Sequence, residues 1–385
     1  MLNTYIAILM ITIFTMFIFQ LHLDRSRRIS YHCLMRNVTI VSGIALIYTK
    51  QVPAQYVIAC ILCIEVIFEI LHHYGISLDP YENKVINFYR WADTLWSSPQ
   101  VQKINTYTEG GYDCDPHMSL DTGNVNKFKW MAEQAKVRAN TRVLELGSGN
   151  GEFLFYVKTH YGAQPIGICN SEPQVVLNAK RGITVINTDI WSIPQNLHGQ
   201  FDCVILNGST EHFCTWKNHS EIDTKLEQLF VEISKCLDPK SDNKRVVITA
   251  ITQHRDFSLY EKWQIYLLER SYGGYYALHP NSYESNARPH GFALVLRENH
   301  TDDYYIWARR IWWHVILGLK DPLTFLKMIV DIPVFVLNDP YFIHKILHIL
   351  FGTWPWQFEP PYLPMLSYND TPPMQHQWIV LEKVN

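Results

Sequence analysis

The chain has 385 residues, a length that favours two domains or one large domain with an appended segment. Its formal net charge of −3 provides no basic field of the kind that nucleic-acid-binding proteins use, so no nucleic-acid partner is expected. The eight cysteines lack the spacing of a zinc site or a disulfide framework. We therefore expect reduced thiols and no bound metal.

The amino-terminal region has the composition of a membrane anchor. Residues 4–23 contain no Asp, Glu, Lys or Arg, and about 20 such residues can cross the hydrocarbon core of a bilayer. The arginine-rich segment 24–28 follows this run, which favours a retained anchor over a cleaved signal peptide. Further apolar runs follow at 38–48 and 54–71. We expect residues 1–75 to form one to three transmembrane helices, with three favoured over one span and two interfacial helices.

The charge pattern around these runs predicts the orientation of the chain. Arg25, Arg27 and Arg28 favour the cytosol for the loop after the first apolar run. With an odd number of spans, the remainder of the chain then also faces the cytosol. We expect an integral protein of the endoplasmic reticulum or another intracellular membrane.

From residue 75 onward the composition is that of a soluble domain. Residues 76–140 are expected to form a helical linker or cap. From residue 141, strand-like and helix-like patterns alternate, which indicates a mostly parallel sheet. We place the core at 141–255 and lid helices with the final strands at 256–385. The aromatic stretch 304–314 fits either a core helix or the lining of a pocket for a long apolar substrate.

The sequence VLELGSGNGEFL at 143–154 is the clearest local signal. It predicts a strand at 142–146, a glycine turn at 147–151 and a helix at about 152–160. Glycines permit positive φ and a close approach of backbone to ligand. Glu145 at the strand end opposes a phosphate and suits a cationic amine, so the expected cofactor is S-adenosylmethionine. A purely structural turn is the alternative.

Three later stretches follow at the spacing of further strands. The first, 164–174, ends in polar residues that can reach a ribose, and the second, 183–191, places Asp189 to accept from an adenine amine. The third, 201–213, ends where methyl transfer is expected. We predict an α/β, Rossmann-like class I methyltransferase fold, with a mostly parallel seven-stranded sheet flanked by helices and with amino-terminal transmembrane helices.

The chain resembles the cyclopropane-fatty-acyl-phospholipid synthases and their mycolic-acid and sphingolipid C-methyltransferase relatives over about residues 85–385. With its apolar amino terminus it is most similar to the fungal sphingolipid branch. The resemblance lies in the glycine turn and in these motifs: NFYRW (87–91), YTEGGY (107–112), IGICNSEPQ (166–174), GSTEHF (208–213), HTDDYYIWARR (300–310) and HQWIVLEK (376–383).

The resemblance implies a set of cofactor contacts. Asn170 and Gln174 belong on the ribose side, and Asp189 and Ile190 flank the adenine. Glu211 is the implied buried acid of the active site. The glycine turn and its neighbours complete the expected contacts: Glu145, Gly147, Ser148, Gly149, Gly151 and Asn207.

The chain also departs from the family where the family holds a bicarbonate that removes a proton. Glu109 replaces a Cys, His300 replaces a Tyr, and TAIT at 249–252 replaces a His. Two neighbouring carboxylates would repel bicarbonate, so we expect Glu109 and Glu211 to share its work, with Glu109 as the base.

Each catalytic candidate has a structural alternative. Glu211 could cap the helix after the fourth strand, and Glu109 could be a solvated loop acid. His212 fits packing better than proton transfer, and His300 could cap the helix that follows it.

These observations predict a membrane-anchored C-methyltransferase that acts on the double bond of a lipid acyl chain or sphingoid base. The expected partner is a membrane lipid, and a homodimer is possible. The alternative is an amine N-methyltransferase, because some plant enzymes of that class share the Glu-His pair. A non-enzymatic membrane scaffold is a third reading, and the complete set of cofactor positions argues against it.

Overall fold

The computed structural model describes residues 109–213, 221–258, 277–308 and 372–384, with isolated positions between 53 and 67 and between 261 and 265. Seven strands form one sheet in the order β3-β2-β1-β4-β5-β7-β6. Only β7 runs against its neighbours, because its pairings with β5 and β6 are both antiparallel. The strands are β1 (Arg142–Leu146), β2 (Gln164–Cys169), β3 (Thr184–Asn187), β4 (Cys203–Asn207), β5 (Arg245–Gln253), β6 (Phe292–Asn299) and β7 (Met374–Lys383).

Helices connect these strands in the pattern expected of a doubly wound sheet. The described α-helices are α1 (Leu120–Gln134), α2 (Glu152–Tyr161), α3 (Glu172–Lys180), α4 (Ile222–Cys236) and α5 (Pro280–Ala287). A further helical segment covers 301–308. Short 3₁₀ turns lie at Ile190–Ser192, Gln195–Leu197, Thr210–His212 and Arg288–His290.

The sheet is buried on both faces, which explains why its central strands read as continuous apolar runs. Successive residues of β1 point to opposite faces: Leu144 packs into a core with α4 and α5, whereas Val143 packs into a core with α1 and α2. In β4, Val204 and Ile205 divide in the same way. Because successive side chains of a strand point to opposite faces, one short sequence contributes residues to both cores.

The predicted fold is confirmed for the described residues. The first strand has the predicted bounds, and the following helix extends one residue further, to Tyr161. The third strand is shorter than its predicted stretch, because the chain leaves the sheet at Asn187 and Asp189 begins a 3₁₀ turn. The closing strand begins two residues earlier than predicted, at Met374.

The predicted membrane anchor lies outside the described residues, apart from isolated positions in the third apolar run. Within the part of the chain that the structure describes, no helix is both long and apolar enough to cross a bilayer. Most of the predicted lid, at 266–276 and 309–371, also lies outside the described residues. The domain boundaries therefore stay predictions.

Candidate active site

The candidate site lies where the parallel strands end. Ligands of open α/β sheets bind outside the carboxyl ends of the strands, where the strand order reverses. Here that point lies between β1 and β4, which are neighbours although they are distant in sequence. Because β7 runs in the opposite direction, its first residues reach this same edge. A depression at the other edge, lined by Arg142, Gln164 and Thr184 among others, contains none of the predicted site residues.

The glycine turn has the backbone conformation that its sequence predicts. Gly147, Gly149 and Gly151 all have positive φ, at 79°, 52° and 68°. A Cβ on Gly147 would lie 2.7 Å from Ser209 Cβ, and one on Gly151 would lie 1.8 Å from Asn178 Oδ1. A Cβ on Gly149 would meet no atom of the described residues within 4 Å. Two glycines are therefore required for packing, and Gly149 faces open space that a ligand can fill.

Glu145 is buried directly below this turn, with 2% of its surface exposed. Its Oε2 has no hydrogen-bond partner among the described residues, although the carboxyl group also interacts with Asn207. Burial raises the pKa of Glu145 to about 8, against the weaker effects of Lys127 and Asn207. Asn207 is itself held, because its Oδ1 accepts from Thr249 Oγ1 at 3.0 Å. A buried oxygen without a donor is the feature expected of a ligand contact.

The remaining predicted cofactor residues lie in the glycine turn, just after β2, in the first turn of α3 and just after β3. Gln174 is buried, with Oε1 3.0 Å from Cys169 Sγ, whereas Asn170 is exposed. Asp189 is exposed, and its Oδ1 accepts from the Trp191 N–H at 3.1 Å. Asp189 therefore caps a turn with one oxygen and retains the other for a ligand. Ser148 is buried, and Ile190 is half-buried.

Glu211 lies in the Thr210–His212 turn after β4 and is 5% exposed. Its Oε1 accepts from the Ile251 N–H of β5 at 2.7 Å. Burial raises the pKa of Glu211 to about 7, and Glu109 adds to this effect. The carboxyl group thus ties the turn to the sheet, which does not fit the alternative that it caps a later helix. His212, in the same turn, is half-buried.

The sequence predicts two alternative roles for Glu109, a base and a solvated loop acid, and the structure fits neither. Glu109 is 4% exposed, so the alternative of a solvated loop acid is wrong. Its Oε1 forms a buried ion pair with Lys127 Nζ and lies 2.8 Å from His376 Nε2. Burial by itself raises the pKa of Glu109, but attraction from His376 and Lys127 outweighs burial and lowers the pKa below its ordinary range. The pairing is evidence against Glu109 as the proton acceptor, because a carboxylate of low pKa is a weak base.

His300 lies beside the cluster of Glu109, Lys127 and His376 rather than within it. Its Nδ1 lies 2.9 Å from Asp303 Oδ2, and its ring stacks on Trp378 with centroids 3.5 Å apart. Asp303 also accepts from the Cys114 N–H at 3.1 Å, which joins the 109–118 loop to the 301–308 helix. Asp303 therefore joins the loop to the helix, and His300 contacts Asp303 and packs on β7, which is nearer to the predicted structural alternative than to a base.

The sequence analysis missed Lys127 and His376, which are both 0% exposed. Lys127 had a signal: it falls on the buried face of α1 with Asn124, Phe128 and Met131, at helical spacing. A lysine on such a face needs a buried partner. His376 had no comparable signal, since strand β7 is buried over most of its length.

Comparisons with known proteins agree with this fold. A family model described as methionine biosynthesis protein MetW matches residues 127–219, which is less than half of the chain, and no curated protein sequence matches. The cyclopropane synthase MmaA2 from Mycobacterium tuberculosis aligns with a TM-score of 0.55 and 14% identity, over 78% of this chain and 96% of that one. The [4+2]-cyclase SpnF aligns with a TM-score of 0.54 and 15% identity, over the same shares of the two chains.

A third solved structure is phosphoethanolamine N-methyltransferase 2 from Haemonchus contortus, in complex with S-adenosylhomocysteine. It aligns with a TM-score of 0.51 and 16% identity, over 77% of this chain and 60% of that one. At these identities the likeness shows the fold. The described part of the chain has the Rossmann-like fold of S-adenosylmethionine-dependent methyltransferases, with a mostly parallel seven-stranded sheet.

Proposed function

We propose that the chain is a membrane-anchored, S-adenosylmethionine-dependent C-methyltransferase that acts on the double bond of a lipid acyl chain or sphingoid base. The observation that carries this proposal is a group of three buried carboxyl groups at one sheet edge: Glu109, Glu145 and Glu211. Lys127 is the one lysine or arginine side chain buried with them among the described residues. The fold alone does not decide the chemistry, because it carries many activities.

The residues of the glycine turn fit S-adenosylmethionine, which supplies an electrophilic methyl group on a sulfonium when it is bound. Gly149 has open space where a side chain would stand, so a ligand can approach the backbone there. Glu145 Oε2 has no hydrogen-bond partner among the described residues, which supports a contact with a cationic amino group. Asp189 follows β3, and Gln174 lies in the first turn of α3 after β2, on the side where we expect the nucleoside.

The buried carboxyl groups suit methylation of an alkene. An isolated double bond is a weak nucleophile, and positive charge develops on its second carbon as the new C–C bond forms. Fixed negative charge in a site that excludes water stabilises such a transition state. With a pKa of about 7, Glu211 ionises readily, and a neighbouring cation lowers that pKa further.

The amino-acid sequence supports a lipid substrate. The apolar runs at 4–23, 38–48 and 54–71 and the aromatic stretch at 304–314 fit a protein that works at a membrane. A soluble amine substrate requires neither feature. We propose a membrane lipid as the partner, with the domain of the described residues on the cytosolic side.

The test is transfer of a labelled methyl group by the purified full chain. Vesicles of dioleoyl phosphatidylcholine, dioleoyl phosphatidylethanolamine and a ceramide with an unsaturated sphingoid base would be incubated with methyl-tritiated cofactor, and the lipids analysed by mass spectrometry. We expect label and one added CH₂ unit in acyl or long-chain-base fragments. Label confined to headgroup amines, or no transfer to lipid at all, would contradict the proposal.

The second candidate is an amine N-methyltransferase. Glu211 and His212 in one turn favour it, because a carboxylate beside the transferred methyl can bind a protonated amine. Phosphoethanolamine added in place of vesicles tests this candidate in the same assay. Methylation of the soluble amine at a higher kcat/KM than of the vesicles would support it.

A further inference from the structure

His376 is a buried histidine whose two ring nitrogens form no well-aligned hydrogen bond with the described residues. Its Nε2 lies 2.8 Å from Glu109 Oε1, although the contact lacks the alignment of a good hydrogen bond. Its Nδ1 has no hydrogen-bond partner among the described residues. Leaving a buried polar atom unpaired costs about 1–3 kcal/mol. Such an atom in a candidate active site is a position where a substrate atom can be received.

The reversed direction of β7 brings His376 to the site. In the antiparallel pairing of β5 and β7, His376 lies opposite Ile251. Ile251 in turn donates its backbone N–H to Glu211 Oε1. Glu211 and His376 therefore adjoin one backbone position of β5, although 165 residues separate them in the sequence. Glu109 is near both, since it contacts His376 and raises the pKa of Glu211.

We propose that His376 accepts, on Nδ1, the proton that the substrate loses after methyl transfer, while Glu109 holds the ring by its Nε2–H. This inference rests on the proposed C-methyltransferase function. For an alkene product, a C–H bond on a carbon beside the cation breaks, and its electron pair forms the new double bond. For a cyclopropane product, a C–H bond of the transferred methyl group breaks instead, and its electron pair forms the ring bond to the cationic carbon. The proton moves to Nδ1, and the carboxylate of Glu109 balances the imidazolium that forms. Proton loss to solvent then restores the neutral ring.

The groups around His376 favour its neutral form before the reaction. They are Glu109, Lys127 on α1, and His300 and Tyr304 at the 301–308 helix. Burial lowers the pKa of His376, and Lys127 and His300 act in the same direction while Glu109 opposes them. A weak base suffices here, because a C–H bond next to a carbocation is strongly acidic. An ammonium ion is a much weaker acid, so the same base suits an alkene substrate better than an amine.

The kinetic test compares His376→Asn with the wild type in the vesicle assay. We expect kcat to fall about 10²–10⁴-fold, the usual contribution of a positioned base, with S-adenosylhomocysteine affinity unchanged within about two-fold. His198→Asn is the matched control, because His198 is a half-buried histidine with Nε2 3.9 Å from Glu232 Oε2. We expect the control to keep wild-type kcat. In His376→Ala, added imidazoles should restore turnover, more so for those of higher pKa.

The second readout is the tautomer of His376, measured by ¹⁵N NMR of the histidine-labelled full chain and assigned by its loss in His376→Asn. We expect a proton on Nε2 and none on Nδ1 at neutral pH. A proton on Nδ1 would overturn the inference, as would wild-type turnover in His376→Asn. Failure of the wild type to transfer any methyl group would instead overturn the proposed function, and the inference with it.

Discussion

Glu145 provides a test in which cofactor affinity and stability change in opposite directions. The ordinary pKa of a glutamate is near 4.5, and burial raises that of Glu145 to about 8. At pH 7 the carboxyl group is then about nine-tenths protonated, by the Henderson–Hasselbalch relation. A ligand with a cationic amino group binds the ionised form, so binding must release a proton. Affinity should therefore rise with pH up to about pH 8.

The size of this effect follows from the pKa. Between pH 6.0 and 7.5 the ionised fraction rises about 20-fold, and the affinity for S-adenosylhomocysteine should rise with it. Titration calorimetry of the full chain in two buffers of different ionisation enthalpy would measure the affinity and the proton release together. In Glu145→Gln the affinity should be low and nearly independent of pH. Glu133→Gln, on the exposed surface of α1, is the control and should keep the wild-type pH dependence.

Stability without ligand should change in the other direction. Because the folded pKa of Glu145 is raised, the folded state holds more protons than the unfolded state between about pH 4.5 and 8. Stability therefore falls as pH rises through this window, by at most about 5 kcal/mol from a shift of this size. Glu145→Gln removes this penalty, so its unfolding midpoint at pH 8 should exceed that of the wild type. A pH-independent affinity in the wild type, or a less stable Gln variant, would refute the reasoning.

Further predictions address the other site residues and the topology. Gly149→Val should fold, although a side chain is strained at the positive φ of this position. It should lose cofactor affinity, because the side chain enters the open space beside the turn. Unchanged affinity by calorimetry would contradict the placement of the cofactor. Glu109→Gln should lose most turnover. It should also unfold at a lower temperature than Glu133→Gln, because Lys127 is left buried without a counter-charge. Turnover of the wild type should not depend on added bicarbonate, and strong stimulation in carbonate-depleted buffer would argue that an anion is the base. A carboxyl-terminal tag should be digested by protease in sealed microsomes, whereas protection would place the domain in the lumen.

Features that depend on neighbouring residues could be predicted from the sequence. The strand at 142–146 and the glycine turn are local, because an apolar run, three glycines and a helix-forming segment follow one another directly. The turn fixes the backbone around Glu145 and Gly149, so their position in the fold follows from the sequence, while their cofactor contacts stay predictions. The buried position of Glu211 was likewise implied by a motif of six consecutive residues at 208–213.

Features that depend on distant pairings could not be predicted in this way. Glu109 reads as an isolated loop acid, but its partners lie 18 and 267 residues further along the chain. The second contact exists only because β7 enters the sheet between β5 and β6. No short sequence pattern specifies that insertion. The sequence therefore favours Glu109 as the base, whereas the structure pairs that residue and shows Nδ1 of His376 without a partner among the described residues.

The insertion of β7 between β5 and β6 has a consequence for the order of folding. Each of these two strands pairs with β7, so β6 joins the sheet through β7 and not through β5. The paired residues of β5 and β7 are 121 to 137 positions apart, from Gln253 with Met374 to Arg245 with Glu382. Pairings between such distant residues form slowly, because a long loop closes before the contacts stabilise it. We therefore expect His376 to reach the site late in folding, after the strands that are closer in sequence have paired.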